Sequence, residues 1–266
     1  MTGLRPEPMA PPVVDLSGKV GLVLGIANEH SIATGCARAF AAAGARFCAT
    51  YLNDKAKPFV EPVTRDLPCE MLLPCDVQQE GALETVFDTI ARRWGKLDFL
   101  LHSIAFAPKA DLHARLIDSS AAGFAQAMDV SCHSFIRCAR LAEPLMRAGG
   151  ALLCVSYEGS IRVVEHYDLM GPVKAALESS VRYLAAELGP QGVRVNALSP
   201  GPIATRAASG IDHFDDLLAE AARLAPEHHL VTIEDVGALA AFLASPAAGR
   251  ITGTVVPVDG GQHIMA

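Results

Sequence analysis

The chain has 266 residues, half of them hydrophobic, and a formal net charge of −7. That length and apolar content suit one large α/β domain with a sizeable core, while the negative balance argues against nucleic acid and against an anionic membrane surface as partners. Seven cysteines without CxxC spacing read as buried thiols in a reducing cytoplasm, with no disulfide and no metal site. In chain order, residues 1–15 are proline-rich and lack the pattern of a signal peptide, so an extended tail is expected before a single domain over 16–266. No apolar run reaches the length of a membrane span. Lys19 to Gly25 (KVGLVLG) is a short apolar run of the kind found in buried parallel strands, and Ser31 caps an Ala-rich helix running from Ile32 to Ala43. Strands are expected at Arg46 to Thr50, Cys69 to Cys75, Leu97 to His102, Ala151 to Ser156, Val193 to Leu198 and Thr254 to Val258. Helices are expected at Lys55 to Leu67, Glu80 to Trp94, Ser119 to Ala148, Tyr167 to Leu188 and Thr232 to Ala244. This alternation predicts a Rossmann-like, doubly wound parallel sheet of about seven strands with helices on both faces and a ligand at the carboxyl ends of the strands.

Two stretches carry chemistry. A strand ending at Gly25, a loop and a helix starting near Ser31 form phosphate-binding geometry, since a helix start offers free N–H groups. The loop is not GxGxxG, and an ordinary strand–helix turn has the same outline. Asp76 and Val77, after the third strand, stand where an acid could hold an adenine amino group or cap a helix. His102, Ser103, Ile104 and Ala105 follow the fourth strand, where they would line the ribose and nicotinamide side. The second stretch is Tyr167 to Lys174, YDLMGPVK. Seven positions are nearly two helical turns, so both side chains would leave one face, as surface pairs also do. A phenol beside an ammonium should have its pKa pulled down and could serve an oxyanion. After the second strand, Leu52 and Asn53 stand where a 2′-phosphate binder would offer Arg or Lys and Asp54 would repel the phosphate, with Lys55 weighing the other way, a balance that favours NADH over NADPH.

The segments GIANEHSIA, PCDV, HSIAFAP, SYEGS, YDLMGPVKAALESSVRYLAAELGPQGVRVNALSPGPI, AASGI, TIEDVG and VDGG resemble those of the enoyl-acyl-carrier-protein reductases, NADH-using enzymes of bacterial fatty-acid synthesis within the short-chain dehydrogenase/reductase superfamily. The resemblance runs from about Leu16 to the C-terminus, and Tyr-x6-Lys separates this family from the Tyr-x3-Lys of ordinary superfamily members. It implies hydride transfer from NADH to the β-carbon of a trans-2-enoyl thioester, carried on an acyl carrier protein or coenzyme A, in a cytoplasmic homotetramer. It implies that Tyr167 is the catalytic tyrosine, that Tyr157 is the second active-site tyrosine and that Lys174 holds the nicotinamide ribose. Gly25, Ser31, Ile32, Asp76, Val77, Ser103, Ile104, Ile203 and Thr205 match cofactor-contacting positions. Ala105, Tyr157 and Met170 would meet the substrate, although Met170 equally suits core packing, and residues 203–229 would form a helical substrate segment.

The chain also departs from the family. Glu158 and Glu165 bracket the acyl channel and are expected to face solvent; His133 stands where a tyrosine is usual; His228 and His229 replace basic residues; and Asp212, Asp215 and Asp216 occupy a segment that is basic in many relatives. These departures keep open a superfamily oxidoreductase acting on a non-carrier carbonyl or hydroxyl, and a dinucleotide-binding sensor without turnover.

Overall fold

The computed structural model describes residues 14–205 and 214–265. Seven strands, β1 (Val20–Leu24), β2 (Arg46–Tyr51), β3 (Cys69–Pro74), β4 (Phe99–His102), β5 (Gly150–Val155), β6 (Val193–Pro200) and β7 (Val255–Val258), form one sheet in the order β3-β2-β1-β4-β5-β6-β7. Every pairing is parallel. The helices are α1 (Ile32–Ala42), α2 (Lys57–Arg65), α3 (Ala82–Trp94), α4 (Lys109–Leu112), α5 (Ala121–Met128), α6 (Ser134–Ala142), α7 (Met170–Leu188), α8 (Phe214–Leu224) and α9 (Ile233–Ala244).

Side chains alternate across a strand, so the sheet feeds two cores. Leu22, Leu24 and Leu100 pack with α3, α6 and α7, while Val23, Phe47 and Leu101 pack with α1, α2 and α9. On the second face α1 and α9 meet backbone to backbone. A Cβ on Gly35 would overlap the Ile233 carbonyl, and one on Gly237 would overlap the Gly35 carbonyl. That approach holds the start of α1 beside the sheet's carboxyl edge. Thr232 caps α9 in a reciprocal box with Asp235. Six of the seven cysteines are buried, and Cys69 is half-buried. Among the described residues no helix is long and apolar enough to cross a membrane.

Three elements differ from the sequence expectation. The region expected as one helix over 119–148 is α5, a π-helical turn (Asp129–His133), α6 and a 3₁₀ turn at Glu143–Leu145 that contains Pro144. The Ser134 hydroxyl donates to the Val130 carbonyl (2.6 Å) and accepts from His102 Nε2 (2.7 Å), so a strand residue engages the helix at the π turn. Short α4 was not anticipated. Helix α7 begins at Met170, three residues after Tyr167, because His166 and Asp168 take left-handed φ values of 61° and 22°.

His102 therefore does not line the cofactor cleft. It is buried against Phe135 and Ser134, and burial first, then the charge of Lys174, push its pKa down from 6.5 to about 3. The unfolded chain takes up a proton that the folded chain refuses. Stability should consequently fall as pH drops from about 6.5 towards about 3, at up to about 1.4 kcal/mol per pH unit. In urea titrations across that range, His102→Gln, which keeps an N–H donor without titrating, is expected to flatten the loss. Equal slopes in variant and parent would contradict this.

Candidate active site

Between β1 and β4 the strand order reverses, and an open α/β sheet binds its ligand at such a switch point. Gly25 follows β1 there with φ 103°, and a Cβ would overlap the carbonyl of Ser103, which follows β4. Only glycine allows this closure, which leaves a groove in the edge. Ser31 is the N-cap of α1, yet its side chain does not cap the helix. Its hydroxyl and that of Thr34 both donate to the Asn28 carbonyl (3.0 and 2.6 Å), which ties the loop to the first turn. The Thr34 and Gly35 N–H groups donate to the Ser31 carbonyl (2.9 and 3.3 Å), while those of Ile32 and Ala33, ahead of them, head the helix where a phosphate would bind. A glycine-floored groove with an uncapped helix start fits a dinucleotide.

Beside this groove lies a cavity of about 300 Å³. Ile32, Ala105, Tyr157, Tyr167, Met170, Lys174, Ile203 and Thr205 all line it, so these expected site residues are brought together from five separate segments. Phe106, Ala107, Leu112, Val155, Ser156 and the run Pro200–Pro202 complete the wall. The HSIAFAP and SPGPI segments contain several of these residues, but Leu112 carries no sequence signal of its own. Gly25, Ser31, Ser103 and Ile104 are not part of the cavity wall: Gly25 and Ser103 meet at the strand ends, Ser31 heads α1, and Ile104 packs against the core. Asp76 and Val77 lie at the end of β3, away from the cavity. Asp76 Oδ1 accepts from the Gln78 N–H (3.0 Å), a turn-capping contact, and Val77 is buried in the core. Asn53 Oδ1 likewise accepts from the N–H groups of Lys55 and Ala56 (3.1 Å each), which shapes the turn after β2.

The rings of Tyr157 and Tyr167 meet edge to face with centroids 4.8 Å apart. Both belong to the segment joining β5 to α7. Lys174 is 4% exposed, and its Nζ donates to the Val155 carbonyl (2.7 Å). Of three ammonium donors, that bond uses one. Burial pulls the ammonium's pKa down, opposed in part by neighbours that include Glu178. Burial pushes the Tyr167 phenol well up, aided by Tyr157 and Glu178, and burial followed by Glu158 does the same to Tyr157. The expectation that an adjacent ammonium lowers the Tyr167 pKa is therefore corrected: desolvation dominates, and the phenol keeps its proton. Such a group remains a hydrogen-bond donor instead of releasing its proton freely.

The acidic departures sort differently. The Glu158 side chain is only 12% exposed and pairs with Arg162 (3.4 Å), against the expectation of a solvent position, because the turn Glu158–Ser160 folds it inward. Glu165 is exposed. His133 is exposed and meets Asp129 at 3.2 Å, and His228 and His229 are also exposed. Asp212 and the side chain of Asp215 lie outside the described residues, while Asp216 is exposed.

Residues 25–263 match the family model described as Enoyl-(Acyl carrier protein) reductase. The chain is 45% identical over 256 residues to an NADH-dependent enoyl-[acyl-carrier-protein] reductase of Nostoc, covering 95% of this chain and 99% of that protein. It is 44% identical over 252 residues to the corresponding reductase of Escherichia coli, covering 94% and 96%. In structure it resembles the enoyl-acyl-carrier-protein reductase of Anaplasma phagocytophilum in complex with NAD, with a TM-score of 0.91 at 42% identity, covering 94% of this chain and 96% of that one.

Proposed function

The chain belongs to the enoyl-(acyl carrier protein) reductase family, and from that premise we propose that Tyr157, Tyr167 and Lys174 carry its reaction. The protein is an NADH-dependent enoyl-thioester reductase, an oxidoreductase of fatty-acid synthesis. NADH, when bound, supplies the hydride that adds to the β-carbon of a trans-2-enoyl thioester. Gly25, Ser31, Ile32, Ser103, Ile104, Ile203, Thr205 and Lys174 would hold it along the groove, with Asp76 and Val77 at the adenine end. As the β-carbon gains hydride, negative charge moves onto the thioester oxygen. Tyr167 donates its O–H to that oxygen, Tyr157 fixes the ring of Tyr167, and Lys174 adds a positive charge in a site shielded from water. Ala105 and Met170 give the acyl chain an apolar wall. The enolate then takes a proton from solvent at its α-carbon, and the Tyr167 phenol keeps its own. The observation that carries this reading is the convergence of both tyrosines and the buried ammonium on one cavity at the switch point.

The finer reading concerns organisation and partner. We place the catalytic domain over 16–266, with 203–229 as the substrate segment, in a cytoplasmic homotetramer. Light scattering of the purified protein should return the mass of four chains. Acyl carrier proteins are strongly acidic, and Asp212, Asp215 and Asp216 follow soon after the cavity-lining Thr205 in a chain of charge −7. Like charges across an interface slow association, most at low salt. Matched enoyl-carrier and enoyl-coenzyme A substrates should thus give similar kcat/KM, with carrier activity rising as salt is added. A large carrier preference that weakens with salt would contradict this docking picture.

A further inference from the structure

Glu178 is an acid on a buried helix face, 6% exposed, one turn beyond Lys174 on α7. Burying a carboxylate is costly unless hydrogen bonds and a counter-charge offset it. Both are present. Its Oε1 accepts from the Ser156 hydroxyl (2.5 Å) and from the Ser160 hydroxyl (2.6 Å). Ser156 directly precedes Tyr157. Ser160 closes the 3₁₀ turn that contains Gly159, and a Cβ on Gly159 would overlap the Tyr167 ring. One carboxylate oxygen therefore ties both ends of the Tyr157 segment to the helix that carries Lys174, and that segment in turn backs the Tyr167 ring. The groups facing Lys174 include Cys154 on β5, Cys132 on the π turn, His102 on β4 and Glu178 on its own helix. Burial raises the pKa of both thiols and lowers that of His102, which leaves Glu178 as the one carboxyl among these groups.

We propose that Glu178 is a positioning residue for the reduction: it clamps Ser156 and Ser160 so that Tyr157 and Tyr167 face the cavity in register. The proposal rests on the roles given above to those three residues. It does not place Glu178 in contact with substrate.

The test compares Glu178→Gln, Ser156→Ala with Ser160→Ala, and Tyr167→Phe in the full-length protein, reading melting temperature, NADH affinity, kcat, KM and the pH profile. Glu178→Gln keeps an oxygen acceptor but loses the charge. Its kcat should fall roughly tenfold with NADH affinity nearly retained. Without that negative charge Lys174 loses its proton more readily and Tyr167 ionises more readily. Both effects move the alkaline limb of the kcat/KM profile to lower pH, by about one unit. The double serine variant keeps the charge and loses both struts, so kcat should fall while the alkaline limb stays in place. It also serves if Glu178→Gln does not fold, since wild-type kcat in it would overturn the clamp. A Glu178→Gln protein that melts lower but keeps wild-type kcat and an unmoved limb would show a merely structural role and overturn the proposal. If Tyr167→Phe lowers kcat in the same assay and neither clamp variant does, the clamp alone falls. If Tyr167→Phe is itself unimpaired, the site assignment falls and the clamp with it.

Discussion

Tyr167→Phe is expected to lower kcat for an enoyl thioester on the order of a hundredfold, the usual loss when one donor to a developing oxyanion is removed. NADH affinity should stay nearly unchanged. The substitution deletes one oxygen from a buried ring that Gly159 and Tyr157 hold in place, so the packing survives. The side chain is 8% exposed, and its phenol is kept protonated by burial. Its contribution is therefore a hydrogen bond that strengthens as charge gathers on the thioester oxygen. A loss confined to kcat is the signature of an interaction made mainly in the transition state. Stopped-flow turnover beside fluorescence titration of NADH separates the two quantities. Wild-type turnover in the variant would remove Tyr167 from the mechanism.

Lys174→Ala should be more damaging, because the same ammonium serves binding and chemistry. We expect NADH affinity and kcat to fall together, with kcat/KM down on the order of a thousandfold. The fold should persist. Removing the lysine relieves its own desolvation but leaves the Val155 carbonyl without its 2.7 Å partner and Glu178 without a nearby positive charge, so the variant should melt lower while remaining folded. Melting curves measured beside the kinetics distinguish this from unfolding. A folded variant that binds NADH as tightly as the parent would contradict the role given to Lys174.

Much of this arrangement is legible in residue order. Short apolar runs alternating with helical stripes dictate a parallel sheet, and Gly25 followed by Ser31 marks the strand–helix turn at its reversal. The sequence places Tyr167 and Lys174 in one cavity for a reason only partly right. The helix starts after the tyrosine, so the left-handed backbone at His166 and Asp168, not helical phase, turns the phenol inward. Neither residue announces that conformation as glycine would. The π turn was hidden because its cause is tertiary: Ser134 answers to His102 on a different element. The same strand alternation sends His102 into the core and brings Ser103 against Gly25, although the two are adjacent in sequence. The sign of the phenol shift is not legible in the sequence, which displays the nearby charge but not the burial that outweighs it. Glu178 was missed for a related reason. In ALESSVRY it reads as an ordinary helix acid, and only the return of Ser156 and Ser160 from another segment gives it partners.

The central claim is that this cavity directs hydride to the β-carbon of an enoyl thioester. The most direct measurement uses NADH deuterated at the transferred position, with an enoyl thioester and a panel of ketones, and locates the label in the product by mass spectrometry and NMR. The account predicts one deuterium at the β-carbon of the saturated thioester, no turnover of the ketones, and loss of the labelled product in Tyr167→Phe. Deuterium on the carbinol carbon of a reduced ketone, with the enoyl thioester untouched, would contradict it.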